Sequence, residues 1–182
     1  GVDPADTWYT KMRSDRTSPI TLYTNSGNYV YYSTNQAGSW TKLNPTGFIV
    51  DVENLTVTKE SLFSDAIVYA CLASSSTGHR LRVYDNGTWY ERSAGLPSGL
   101  KVNTVAAHIN STTKAYALMT GTSAGNKVYK TTNRGVNWTN ISGNLPNVPV
   151  GDLIPHPTFD ILFYLGSEMG CYKTSNGGQQ WI

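Results

Sequence analysis

"TTNRGVNW" spans Thr131 to Trp138, and 43 residues later "TSNGGQQW" spans Thr174 to Trp181. A phrase written twice at fixed offsets marks an internal repeat, and a repeat decides architecture before anything else does. A third copy is "STNQAGSW" (Ser33 to Trp40), with Asn35 and Trp40 in place and Ala37 where the others have Gly135 and Gly178. "YDNGTW" (Tyr84 to Trp89) is a shortened fourth, keeping Asp85, Gly87 and Trp89. Trp40, Trp89, Trp138 and Trp181 stand 49, 49 and 43 residues apart.

That spacing is the length of a propeller blade, about 40–50 residues. The segments between the tryptophans align as strands. The first is "VENLTVT", "VNTVAAHI" and "VGDLIPH"; the second is "IVYACLAS", "KAYALMTG" and "ILFYLGSE". The third is "NYVYYST", "LRVYDN", "KVYKTTN" and "GCYKTSN", and short fourth strands follow as "TKLNP", "YERSAG" and "TNISGN". These runs are rich in β-branched and aromatic residues and bounded by Gly, Pro, Asn and Ser. Helical periodicity is absent. The expectation is an all-β chain, a propeller segment of about four four-stranded antiparallel blades, at roughly 1–46, 47–97, 98–146 and 147–182. The first and last are expected to be incomplete. "GVDPADTW" aligns with the end of a first strand, and Ile182 follows the last box tryptophan directly. On that reading the chain belongs to a larger ring, completed by further blades of the same polypeptide or by other chains.

The phrase itself reads as a turn. Asn35, Asn133 and Asn176 can fold onto nearby backbone N–H groups. Ser33, Thr131 and Thr174 add hydroxyl bonds. Gly135 and Gly178 supply positive φ, so Ala37 predicts a less regular turn, and the shortened copy a different one. Trp40, Trp138 and Trp181 are expected to be buried against the blade as structural anchors.

Composition bounds the function. The 182 residues carry 14 Lys and Arg against 12 Asp and Glu, with no basic run. That argues against a nucleic-acid partner. No apolar stretch approaches the roughly 20 residues of a membrane span. Cys71 and Cys171 sit in apolar strand-like runs and read as buried, unbonded thiols.

The repeated Ser/Thr-x-Asp/Asn-x-Gly-x-x-Trp resembles the Asp-box, or bacterial neuraminidase repeat. Sialidases, sortilin-type receptors, xyloglucan-active hydrolases and many secreted bacterial surface proteins carry it. The stretch "VYKTTNRGVNWTNISGNLPNVPVGDLIPHP" is similar to the last group. The resemblance implies a secreted, extracellular or cell-surface propeller, with the boxes on the rim away from the ligand face. None of Arg13, Arg16, Arg80, Arg82, Arg92 and Arg134 stands in the Arg-Ile-Pro context of sialidases.

No catalytic residue, metal ligand or cofactor is assigned. Asp51, Glu53, Asp152 and Glu168 are candidate carboxylates, but no motif raises any pair of them into the two-carboxylate arrangement of a glycosidase. His108 and His156 occupy equivalent positions just past the first strand, with Asp3-Pro4 as the match in the first unit, and read as turn residues. His79 and Arg80 in "SSSTGHR", with Glu168, are the candidate binding residues. Five Asn-x-Ser/Thr sites (Asn54, Asn86, Asn110, Asn137, Asn140) carry glycans only in a eukaryotic secretory setting. The functional expectation is a non-catalytic module that displays loops to a protein or glycan partner or builds a surface assembly. The alternative is a fragment of a propeller glycoside hydrolase.

Overall fold

The computed structural model describes residues 11–15, 18, 20–58, 66–73 and 80–182. It is all-β among those residues and divides into two compact units, Gly1–Glu91 and Arg92–Ile182.

The first unit holds two four-stranded sheets. Sheet 1 is β1 (Arg13–Ser14), β2 (Leu22–Ser26), β3 (Tyr29–Ser33) and β4 (Thr41–Lys42). Sheet 2 is β5 (Val52–Thr58), β6 (Ile67–Leu72), β7 (Leu81–Asp85) and β8 (Thr88–Glu91). In the second unit, sheet 3 is β9 (Val102–Ala107), β10 (Ala115–Met119), β11 (Val128–Thr131) and β12 (Thr139–Asn140). Sheet 4 is β13 (Val150–Pro155), β14 (Phe163–Ser167) and β15 (Gly170–Thr174). Every sheet is antiparallel in chain order, which is the up-and-down wiring of a propeller blade.

Strand content explains the layering. β6 and β10 are buried at every residue. β4 and β12 are exposed Thr-Lys and Thr-Asn pairs, polar edges that resist further strand pairing. The core of the first unit packs Tyr23 and Val30 of sheet 1 against Val52, Leu55, Val57 and Val68 of sheet 2. That of the second packs Tyr116, Leu118 and Val128 of sheet 3 against Val150, Leu153, Phe163 and Leu165 of sheet 4. Each such aliphatic side chain contributes roughly 1.5–3 kcal/mol by leaving water.

The three full-length boxes make one turn. In the Thr131–Trp138 box, Thr131 Oγ1 accepts from the amide of Gly135 at 2.9 Å and donates to Asn133 Oδ1, which accepts from Asn137 N at 3.0 Å. Thr174, Asn176, Gly178 and Gln180 repeat this bonding. So do Ser33, Asn35, Ala37 and Ser39, at 2.9–3.0 Å. The expectation of a less regular first turn is therefore corrected. Ala37 takes φ +69° and keeps the geometry, where Gly135 and Gly178 take +84° and +92°. The side-chain hydrogen bonds hold the alanine in a left-handed conformation that a Cβ disfavours. In the shortened copy, Asp85 pairs directly with Thr88 across Asn86 and Gly87, at φ +49° and +80°. That is the two-residue Asn-Gly hairpin turn.

Two further expectations are revised. Trp138 and Trp181 are buried, but Trp40, expected to be buried with them, is only half-buried; Trp89 of the shortened copy is half-buried too. The indole N–H groups of Trp89, Trp138 and Trp181 also reach beyond their own hairpins. Trp89 Nε1 donates to Leu43 O just past β4, Trp138 Nε1 to Arg92 O, and Trp181 Nε1 to Ile141 O just past β12. Sheet 1 has its first strand in Arg13–Ser14, so that strand does not end at "GVDPADTW". Asp15, not Asp3, is the counterpart of His108 and His156. Its amide bonds Thr21 O as theirs bond Lys114 O and Leu162 O. Asp3 and Pro4 lie outside the described residues.

Candidate functional site

The first strands β5, β9 and β13 share a bulge after their first residue, at Glu53, Asn103 and Gly151. A bulge puts two residues against one and re-aims the side chains around it. The residue after the bulge is then free to cap its own strand. Asn54 Oδ1 accepts from Leu55 N at 2.9 Å, and Asp152 Oδ1 accepts from Leu153 N at 2.8 Å.

In the second unit this irregularity opens a groove of about 480 Å³. Asn103 contributes from β9, Pro149 to Asp152 from the start of β13, and Gly166, Ser167 and Glu168 from the end of β14. Glu168 is placed by its amide, which bonds Pro149 O at 3.3 Å. Ser167 Oγ closes the β14–β15 turn, donating to Gly170 O at 3.0 Å and accepting from Met169 N at 3.1 Å. Asp152 and Glu168 are both exposed. The arrangement offers two carboxylates, an amide, a hydroxyl, and backbone left open beside Gly151 and Gly166. No aromatic ring lines it among the described residues.

Of the sequence candidates, the structure brings Asp152 and Glu168 into one groove. Asp51 and Glu53 are exposed in the first unit. Arg80 stands there at the β6–β7 hairpin, where its carbonyl accepts from Leu72 N. His79 lies outside the described residues. Asn103 was missed, although "VENL", "VNTV" and "VGDL" already set it level with Glu53 and Gly151 in the repeat. Asn54 is buried and occupied in its cap, while Asn86, Asn110, Asn137 and Asn140 are exposed.

A second polar cluster, also in the second unit, serves the fold. His108 Nδ1 accepts from Asn110 N, which leaves Nε2 to carry the proton, 3.5 Å from Asp160 Oδ1. Lys114 Nζ bonds the other oxygen of Asp160. That hydrogen bond holds the Asp160 carboxyl below its usual range. Burial pushes His108 down, and Asp160 offsets part of the effect. His156 Nδ1 accepts from Thr158 N and Phe159 N, so both histidines organise turns. Among the described residues no three His, Cys, Asp or Glu side chains are grouped to hold a metal ion. Cys71 and Cys171 form no disulfide with each other. Cys171, expected to be buried, is exposed because it sits on an open sheet face.

Four antiparallel sheets of this wiring define a β-propeller segment. Solved structures with the same fold include the GH74 xyloglucanase of Xanthomonas campestris, with a TM-score of 0.67 at 17% identity over 98% of this chain and 30% of that one. A GH74 enzyme of Niastella koreensis gives 0.72 at 17% identity, over 98% of this chain and 29% of that one. YCF48 bound to D1 peptide gives 0.61 at 15% identity, over 100% of this chain and 55% of that one. The chain thus spans less than a third of these GH74 chains and about half of YCF48. No protein-family model matches the sequence, and no curated protein sequence matches it. No helix among the described residues is long and apolar enough to cross a membrane.

Proposed function

We propose that the chain is a non-catalytic, Asp-box propeller module that acts outside the cell or at its surface and binds a polypeptide segment in the groove of the second unit. The carrying observation is the groove itself. Asp152 and Glu168 are exposed carboxylates flanking open backbone at Gly151 and Gly166. Such a site suits an extended chain carrying a Lys or Arg, which charge-assisted hydrogen bonds would hold. With no aromatic platform to stack on a sugar face, a protein partner is favoured over a glycan. The similarity to a peptide-bound propeller is in keeping with this reading.

A peptide array probed with the 182-residue chain tests it. Selected peptides should carry a basic residue, and Asp152→Asn with Glu168→Gln should weaken their binding at least tenfold. Selection indifferent to both substitutions rejects the groove. The second reading is a segment of a propeller glycoside hydrolase, favoured by the GH74 likeness and by two carboxylates in one groove. Release of reducing ends from xyloglucan, lost on Asp152→Asn or Glu168→Gln, would establish it instead.

A further inference from the structure

Two Asn-Gly pairs occur, Asn86-Gly87 and Asn176-Gly177. In an Asn-Gly pair the side-chain amide is open to attack by the next main-chain nitrogen, because glycine has no Cβ to shield that nitrogen. Both pairs lie in turns, and the two turns treat them oppositely.

Asn176 is fixed by its box. Its Oδ1 accepts from Thr174 Oγ1 and from Gln180 N, each at 2.9 Å. The attacking atom is occupied as well, since Gly177 N donates to Ile161 O at 2.9 Å. Asn86 stands in the shortened copy, which has neither device. Asn86, Gly87 and Thr88 are all exposed. Among the described residues, neither the Asn86 side chain nor the Gly87 amide meets a hydrogen-bond partner. Nothing beyond the chain neighbours lies within 4 Å of the point where a Gly87 Cβ would stand, so the turn is open to solvent.

We propose that Asn86 is a site of spontaneous deamidation, at which the chain converts itself to isoaspartate and aspartate. Gly87 N gives its proton to hydroxide or another solvent base and bonds Asn86 Cγ. The Cγ–Nδ2 bond breaks and the amide nitrogen leaves as ammonia, which closes a cyclic imide. Water then opens either ring C–N bond. Opening at Cγ leaves aspartate. Opening at the Asn86 main-chain carbonyl leaves isoaspartate, with the backbone now running through Cβ. Water is consumed and ammonia released, with no redox change. The same step removes the acceptor amide of the Asn86-Gly87-Thr88 glycan site.

The two products differ in what they do to the hairpin. Asp-Gly suits a two-residue type I′ turn as Asn-Gly does, so aspartate keeps Asp85 paired with Thr88. Isoaspartate adds a main-chain carbon that this pairing has no room for. Trp89 follows directly. Its indole bond to Leu43 O, and its ring contact with Phe48 at 5.0 Å between centroids, depend on the register of β8. The rerouted backbone therefore loosens the tie from sheet 2 to sheet 1.

The folded 182-residue chain, aged in mildly alkaline buffer and mapped by peptide mass, tests the assignment beside the same chain aged in urea. In the folded chain Asn86 should convert at least tenfold faster than Asn176. In urea, where the box is gone, the two rates should converge. Equal rates in the folded chain, or an Asn176 that stays protected in urea, overturn the proposal. The isoaspartyl form, separated by chromatography, is then melted beside Asn86→Asp, which keeps the turn. The isoaspartyl form should melt at the lower temperature, with a shifted tryptophan emission. If the two melt alike, rerouting the chain at Asn86 does not loosen the hairpin and that consequence is rejected.

Discussion

Trp181 donates its indole N–H to the carbonyl of Ile141 at 3.1 Å, from the box of sheet 4 to the residue just past the outer strand of sheet 3. Trp89 makes the same bond to Leu43 in the first unit, at 3.1 Å. In these two copies the tryptophan therefore ties its sheet to the sheet before it in the same unit, besides closing its own hairpin. Trp138, which is buried and bonded to Arg92 O at 2.9 Å, is the best position to test. Trp138→Ala should cost roughly 3–5 kcal/mol in urea unfolding, as truncating a buried aromatic does. Trp40→Ala, at a half-buried ring, should cost less than half as much. Equal losses at the two positions would show that the hairpin, not the tie, carries the energy.

Ala37 and Gly178 hold the same place in the box with opposite strain. Ala37→Gly should stabilise by roughly 0.5–1 kcal/mol, since it releases a left-handed alanine at some entropic cost in the unfolded chain. Gly178→Ala should destabilise by more than about 2 kcal/mol. It adds the same conformational strain, and its new Cβ would clash with the Ile141 carbonyl. Thermal melts of the two variants should move in opposite directions.

Ser142 and Asn44 follow the outer strands and cap the third strands. Ser142 Oγ accepts from the buried amides of Lys127 and Val128 at 2.9 and 3.0 Å, and Asn44 Oδ1 accepts from Val30 N at 2.6 Å. Ser142→Ala strands two buried donors and should cost roughly 1–3 kcal/mol. Hydrogen exchange at Lys127 and Val128 should accelerate in that variant.

Strand identity and order were legible because the repeat supplied its own alignment. "VENL", "VNTV" and "VGDL" lie in register, and the box residues named their turns. Other features depend on which atoms meet across sheets. The ties from Trp89 and Trp181 join residues 46 and 40 positions apart. No local pattern encodes such a partner. Ala37 misled because the hydroxyl and amide bonds of Ser33 and Asn35 outweigh a φ preference worth only about 1–2 kcal/mol. Of the groove, Asp152 and Glu168 could be named as carboxylates, but their convergence depends on the bulge at Gly151. A one-residue slip in register leaves no trace in composition.

The His108, Lys114 and Asp160 cluster predicts two separate losses of stability with acid. Burial lowers the His108 pKa below the ordinary value of about 6.5. The unfolded chain then binds that proton more readily than the folded one. The stabilising contribution is whole above about pH 6.5 and declines as pH falls through the window below it. Asp160 is depressed by its hydrogen bond from Lys114. Its contribution is whole above the unfolded carboxylate value, about 3.9, and is lost only below that. The Asp160 side chain is 53% exposed, so the share is that of a surface pair, roughly 0.2–1 kcal/mol. Melting temperatures at pH 7.5, 5.5 and 3.5 separate the two. His108→Asn should flatten the fall between pH 7.5 and 5.5. Asp160→Asn should steepen it, because the carboxylate that eases His108 protonation is gone, and should shrink the loss between 5.5 and 3.5. If His108→Asn leaves the slope between pH 7.5 and 5.5 unchanged, the cluster does not set the acid response of the second unit.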